Sequence, residues 1–329
     1  MALLAIAGLG SIGRRHASAA LRAGHDVIAF DPAPADGADP WRSAASFEAL
    51  LDAASAALVV ATPDALHAPQ AVAALERGIA VLVEKPVAAT VEQAAAIAAA
   101  AAASGAGALV GYVLHYNAAL IEARRLLAAG AVGELVAFDV RLGAYETLVR
   151  ARNRFEDDGP RGGIYLDYSH EWDYVRWLLG PVARGLAAER TVAGRPRLQS
   201  PNIVCGLLEL EDGCVGRFHL DYVEDPPRRT LSVLGSEASL EVDVPAGTVR
   251  LQPHGAAPQP PQSFAQPRDA LFDAQLAHLL RVGAGEEAPR VTVEDGLRAL
   301  AIGLRLRDGA AARAWVELGD GAPLHQVVH

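Results

Sequence analysis

Apolar and polar positions follow two different patterns along the chain. In the first third, short apolar runs at Leu3–Ala7, Asp26–Phe30, Ala57–Ala61, Ile79–Val83 and Ala108–Tyr112 alternate with helical stretches. Those helices are expected over Ile12–Ala23, from Asp64 through Arg77, and over Val91–Ala103, with Asp64 as a cap. Strands separated by helices of this length predict βαβ units and a parallel sheet. The strands are apolar throughout rather than alternating, as expected of a sheet covered on both faces. Beyond a helix at Ala118–Ala129 the pattern changes. Strand-like runs at Leu135–Tyr145, Ile203–Leu210, Val215–Val223, Thr230–Leu234 and Ser239–Val244 are separated in several places only by turns such as Glu211-Asp212-Gly213. This predicts a largely antiparallel sheet. Arg217, His219 and Asp221 alternate with Phe218, Leu220 and Tyr222, giving that sheet one polar face. One helix, Leu166–Leu179, interrupts the strands, and a loop over Gln252–Pro267 precedes two closing helices. The expected fold is α/β: a doubly wound Rossmann domain over residues 1–118, then an α+β domain with a large, mostly antiparallel open sheet over 119–329.

Composition narrows the function. A chain of 329 residues that is 51% hydrophobic can fill two cores, and its net charge of −10 with no basic run argues against a nucleic-acid partner. The apolar start lacks a basic leader, and the alanine tract at 94–103 is too weakly hydrophobic to span a bilayer, so no membrane partner is expected. Cys205 and Cys214 have no companions at metal-ligand spacing. They are read as reduced, buried strand residues of a cytoplasmic protein that binds no metal. The basic residues comprise 28 Arg and a single Lys, Lys85. Base composition explains the scarcity of lysine. The survivor is a candidate for chemistry that arginine cannot do, because lysine gives up or shares its proton.

Three constellations carry that chemistry. Gly8-Leu9-Gly10-Ser11-Ile12-Gly13 follows a strand and opens a helix, as a dinucleotide-binding turn must. Gly8 permits the turn, Gly10 lets a pyrophosphate approach and Gly13 lets the helix pack, while Ser11 and Ile12 present helix N-terminal amides. Asp31 ends the second strand, where an acid binds the ribose 2′-hydroxyl. With no Arg or Lys following it, NAD is favoured over NADP. Lys85 ends the fourth predicted strand, where ligands bind in such sheets, and Pro86 restricts its backbone. In Gly162–Asp173, Asp167 and His170 are three residues apart, and a carboxylate beside an imidazole makes a general base. A helix start with acids favoured by its dipole and a core histidine would look the same, and the segment alone leaves both readings open.

These segments, together with Thr62-Pro63-Asp64-x-x-His67, Glu84-Lys85-Pro86 and Leu234-Gly235-Ser236-Glu237-Ala238, occur in an order that resembles the glucose–fructose oxidoreductase / inositol dehydrogenase (Gfo/Idh/MocA) family across essentially the whole chain. The resemblance implies an NAD(P)-dependent dehydrogenase or reductase acting on a hydroxyl or keto carbon of a sugar, amino sugar or cyclitol. It also implies a homodimer or homotetramer through the C-terminal sheet. It makes Lys85 and His170 catalytic, and adds Thr62, Pro63, His67 and Glu84 to the cofactor set. Many members have D-x-x-x-H where this chain has Asp167-x-x-His170, with Leu166 in the usual place of the acid. Asp167 therefore either orients His170 or binds a substrate hydroxyl. Substrate contacts are expected from Tyr112, His115, Tyr145, Arg161, Tyr168 and Asp173, although an arginine is frequent in the family where His115 stands. Two rival functions share the architecture: an NAD-dependent glycoside hydrolase and a non-catalytic dinucleotide sensor.

Overall fold

The computed structural model describes residues 2–33, 39–53, 56–144, 163–192 and 201–319. Contacts divide the chain into two compact units, one of residues 1–116 and 267–300, the other of 117–266 and 301–329.

The first unit is built on six strands: β1 (Leu3–Ala7), β2 (Asp26–Phe30), β3 (Arg42–Ser43), β4 (Ala57–Val60), β5 (Val81–Val83) and β6 (Ala108–Val110). All pair in parallel in the order β3-β2-β1-β4-β5-β6, the doubly wound dinucleotide-binding arrangement. Its helices are α1 (Ser11–Arg22), α2 (Phe47–Ala53), α3 (His67–Leu75) and α4 (Val91–Ser104). Thr90 caps α4 by accepting the Gln93 N–H, and Gly105 in the left-handed conformation ends it. Asp64 starts no α-helix. It lies in a short 3₁₀ turn before α3, where its carboxylate accepts the Ala65 N–H at 2.9 Å.

Five helices follow: α5 (Ala118–Ala128), α6 (Gly163–Asp167), α7 (Ser169–Leu179), α8 (Arg268–Gly283) and α9 (Val293–Ala312). The segment 267–300 groups with the nucleotide-binding strands, although the pattern of elements runs the second domain on to residue 329. The cause is the face of α8 bearing Phe272, Leu276, Leu279 and Val282, which is buried in one cluster with Leu4, Ile6, Ala17, Val59 and Leu82.

The second unit carries a nine-stranded sheet of β7 (Leu135–Gly143), β8 (Val182–Arg190), β9 (Ile203–Leu210), β10 (Val215–Asp221), β11 (Arg228–Gly235), β12 (Ala238–Asp243), β13 (Thr248–Pro253), β14 (Gln262–Ser263) and β15 (Val316–Glu317). Its order is β14-β13-β12-β11-β7-β10-β9-β8-β15, and every pairing except β7 with β10 is antiparallel. Phe138, Val140, Phe218, Leu220, Leu231 and Val233 are buried on one face. The other face carries Arg217 and His219, together with the exposed apolar side chains Leu207, Val215 and Leu234. β8 escapes pattern reading because it is rich in Ala and Gly, and at Gly185 an added Cβ would lie within 3.0 Å of Leu306, Leu318 and Leu208. The helix expected over Leu166–Leu179 is two helices, α6 and α7, separated at Tyr168 (φ −101°, ψ 29°). Both cysteines are free thiols. Cys214 is buried in the turn before β10. Cys205 is half-buried on β9, its sulfur 3.0 Å from His219 Nδ1. Among the described residues no helix is long and apolar enough to cross a membrane, and no group of three His, Cys, Asp or Glu is placed to hold a metal ion.

Candidate active site

The three glycines of the first motif have three different physical reasons. Gly8 sits at φ +89°, and a Cβ there would lie 2.6 Å from the Ala61 carbonyl oxygen. A Cβ on Gly13 would lie 1.9 Å from the Gly8 carbonyl oxygen, so the start of α1 and the end of β1 approach too closely for any side chain. A Cβ on Gly10 would meet nothing within 4 Å. No atom of the described residues therefore explains Gly10, and the space beside it is where a pyrophosphate needs close approach. α1, with Ser11 and Ile12 in its first turn, starts without a side-chain cap or an acidic residue there, which leaves its positive end available to an anion. Asp31 Oδ2 accepts the Leu9 N–H at 2.6 Å and Oδ1 the Ala33 N–H at 2.9 Å, tying the end of β2 to the glycine turn. The residues present fit a dinucleotide.

His67, Thr62 and Pro63 lie beyond β4. His67 is 2% exposed, with Nε2 2.8 Å from the Thr62 carbonyl oxygen and Nδ1 2.9 Å from that of Pro86. Its ring thus braces the segments that follow β4 and β5. Burial lowers its pKa, against the opposing pull of the two carbonyls. Thr62 donates its hydroxyl to Gln70 at 2.7 Å. Glu84 is buried, with Oε1 2.7 Å from His16 Nε2 and Oε2 accepting the Lys85 N–H at 3.2 Å. A Cβ on Gly111 would strike the Glu84 carboxyl at 2.8 Å, so glycine there makes room for the acid. Lys85 follows β5, half-buried, before a cis bond to Pro86. Tyr112 and His115 are enclosed in this unit, and the His115 carbonyl accepts from Arg290 at 3.3 Å.

The second group lies in the second unit. From Ile164 to Val175 every residue is buried except Asp167 and His170, which are half-buried. Asp167 Oδ2 accepts the Tyr222 hydroxyl at 2.6 Å. Burial, reinforced by the Asp167 charge, pushes the Tyr222 pKa well up and keeps it a donor. The Tyr168 hydroxyl donates to the Asp221 carbonyl at 3.1 Å, and the Tyr168 and Tyr222 rings meet edge to face with centroids 5.1 Å apart. Fully buried Glu171 takes a forked pair of hydrogen bonds from Arg229, 2.7 and 3.0 Å, which anchors α7 to β11. Trp172 Nε1 donates to the Tyr165 carbonyl at 2.7 Å, joining α7 to α6. Asp173 is buried one turn beyond His170. Tyr145 and Arg161 fall outside the described residues. Sequence reasoning assigned no role to His16, Tyr222 and Arg229. Tyr222 follows an apolar alternation that signals only core, whereas Arg229, a charge at an inward position next to Leu231, was a usable signal.

A family profile described as "Oxidoreductase family, NAD-binding Rossmann fold" matches residues 3–112, and the GFO/IDH/MocA C-terminal domain matches residues 120–241. The chain belongs to the GFO/IDH/MocA family. As a GFO/IDH/MocA member it is an oxidoreductase, and its first unit is an NAD-binding Rossmann domain. It is similar to the 1,5-anhydro-D-fructose reductase of Ensifer adhaerens, 28% identical over 271 residues covering 80% of each chain. It is also similar to the scyllo-inositol 2-dehydrogenase (NAD(+)) of Bacillus subtilis, 25% identical over 66% of this chain and 62% of the relative. Among GFO/IDH/MocA-like folds, a levoglucosan dehydrogenase in complex with NADH and levoglucosan superposes with a TM-score of 0.84 at 17% identity, covering 96% of this chain and 99% of the other.

Proposed function

We propose that the chain is an NAD-dependent dehydrogenase or reductase whose substrate is a sugar, amino sugar or cyclitol, reacting at one hydroxyl or keto carbon. The observation that carries the reading is the exposure of Asp167 and His170 alone in an otherwise buried run of twelve residues, Ile164 to Val175. These two polar side chains are the ones in the run that solvent or a ligand can reach, and a carboxylate near an imidazole suits proton transfer. NAD, bound at the glycine turn, supplies the acceptor or donor of the hydride. In oxidation His170 takes the proton of the reacting hydroxyl, and in reduction it returns it. Its Nδ1 is enclosed, which supports Nε2 as the nitrogen that exchanges the proton. Lys85 donates a hydrogen bond to the reacting oxygen and stabilises the developing alkoxide. Asp167, held by Tyr222, orients His170 or receives a substrate hydroxyl. Tyr112, His115, Tyr168 and Asp173, with Tyr145 and Arg161, complete the proposed substrate set. In the cofactor set, Glu84 and His67 act by holding the backbone of Lys85 and Pro86 in place.

The named activities of the relatives, on an anhydro sugar and on inositols, support this substrate class. A homodimer or homotetramer through the second sheet is part of the proposal, supported by the exposed Leu207, Val215 and Leu234. So is a cytoplasmic location, supported by two unpaired thiols. The test is a panel of sugars, amino sugars and inositols with NAD⁺ and NADP⁺. Net formation of reduced nicotinamide with a free polyol supports the proposal. Leaving-group release from glycosides without net reduction supports the hydrolase in its place.

A further inference from the structure

The glycine turn carries a cation that reading along the chain after β2 does not find. Arg14, in the first turn of α1, donates from Nε to the Leu9 carbonyl oxygen at 3.0 Å. Leu9 is also the residue whose N–H donates to Asp31 Oδ2 at 2.6 Å. One residue of the turn is therefore held from both sides, by the acid at the end of β2 and by an arginine from α1. Beyond Leu9 the Arg14 guanidinium is bound a second time, with Nη1 2.6 Å from Asp39 Oδ1. The Trp41 ring lies 5.7 Å from its Cζ. The Arg14 side chain remains 41% exposed while that of Asp39 is 16% exposed, so the cation faces solvent and its restraint lies beneath.

We propose that Arg14 and Asp39 together set the choice between NAD and NADP. This rests on Asp31 marking the ribose end of the dinucleotide site, and it goes further by assigning the selectivity to a pair outside the glycine motif and β2. Over these three groups the carboxylates of Asp31 and Asp39 outweigh the single guanidinium of Arg14, a net negative charge. A 2′-phosphate, which adds about −1.5 to −2 more, is repelled. With Asp39 neutralised, Arg14 balances Asp31 and, still anchored through Nε to the Leu9 carbonyl, turns Nη donors no longer held by a carboxylate toward a phosphate. Asp39 thereby keeps the protein on NAD by occupying an arginine that could serve NADP.

Binding alone tests this, by isothermal titration calorimetry of the whole chain with NAD⁺ and with NADP⁺, without substrate. The readout is the ratio of the two dissociation constants, which cancels any general loosening of the site. Asp39→Asn is expected to shift the ratio toward NADP by about tenfold, equivalent to ~1.4 kcal/mol. Asp39→Glu retains the carboxylate and should keep the parent ratio. Adding Arg14→Gln to Asp39→Asn should abolish the shift. An unchanged ratio in Asp39→Asn overturns the proposal, and so does a shift that survives the loss of Arg14. Failure of the parent protein to bind either dinucleotide would instead overturn the reading of the site itself, and is distinguishable from both.

Discussion

Replacing Gly10 with alanine separates what the glycine turn does for the fold from what it does for the ligand. Gly10 has φ −65° and ψ −174°, a conformation open to alanine, and its Cβ would meet no atom within 4 Å. Restricting the unfolded chain stabilises by about 0.4–1 kcal/mol. Losing glycine at the helix N-cap costs a similar amount, roughly 0.5–1 kcal/mol. The two nearly cancel, so the folding stability of Gly10→Ala should stay within about 1 kcal/mol of the parent. The new methyl occupies the space through which a pyrophosphate approaches the backbone, and NAD⁺ affinity should fall at least tenfold, or ~1.4 kcal/mol. Gly13→Ala is the contrast. Its Cβ would sit 1.9 Å from a backbone oxygen that cannot rotate away, and overpacking of that kind costs roughly 1–3 kcal/mol or more. Urea denaturation and calorimetric titration of both variants read the two quantities separately. Gly10→Ala binding NAD⁺ as tightly as the parent would refute the reasoning. So would a loss of stability equal to that of Gly13→Ala.

Three further outcomes are expected. Tyr222→Phe removes a half-buried hydrogen bond to the Asp167 carboxylate, worth about 1.5–3 kcal/mol; kcat/KM should fall roughly tenfold with the circular dichroism spectrum retained. Arg229→Met leaves fully buried Glu171 without its ion-pair partner and should cost about 3–5 kcal/mol by urea denaturation, most of it recovered when Glu171→Leu is added. Burial holds His67 below its ordinary 6.5, so below that pH the unfolded chain takes up a proton that the folded chain resists. Stability is therefore complete above about pH 6.5 and declines as the pH falls toward the folded-state pKa, and a melting-temperature profile of His67→Gln should lose that part of the decline.

The parallel sheet was legible because strands buried on both faces must be apolar throughout, and the glycine turn because its steric demands fix residue types at fixed spacing. The helical segment carrying Asp167 and His170 was legible, but the break at Tyr168 between their helices was not, since a single backbone departure leaves no mark on a 3.6-residue period. The return of α8 to the first unit was hidden for another reason: the pattern shows that Phe272, Leu276 and Leu279 share a face, and nothing local says which core receives it. The brace that His67 forms between two backbone carbonyls was also invisible, because its partners are main-chain atoms distant along the chain. The pairing of Arg14 with Asp39 was not legible, because the two lie 25 residues apart along the chain and only the fold brings them together.

The central claim is that hydride transfer at a polyol hydroxyl depends on an ammonium that can share its proton at position 85, in a chain that otherwise uses arginine. Lys85→Arg tests it most directly, with NAD⁺ binding measured by titration and turnover measured on the best polyol of the panel. The account predicts retained NAD⁺ binding with turnover lower by about 10²–10³-fold. Turnover at the parent rate in Lys85→Arg would contradict it.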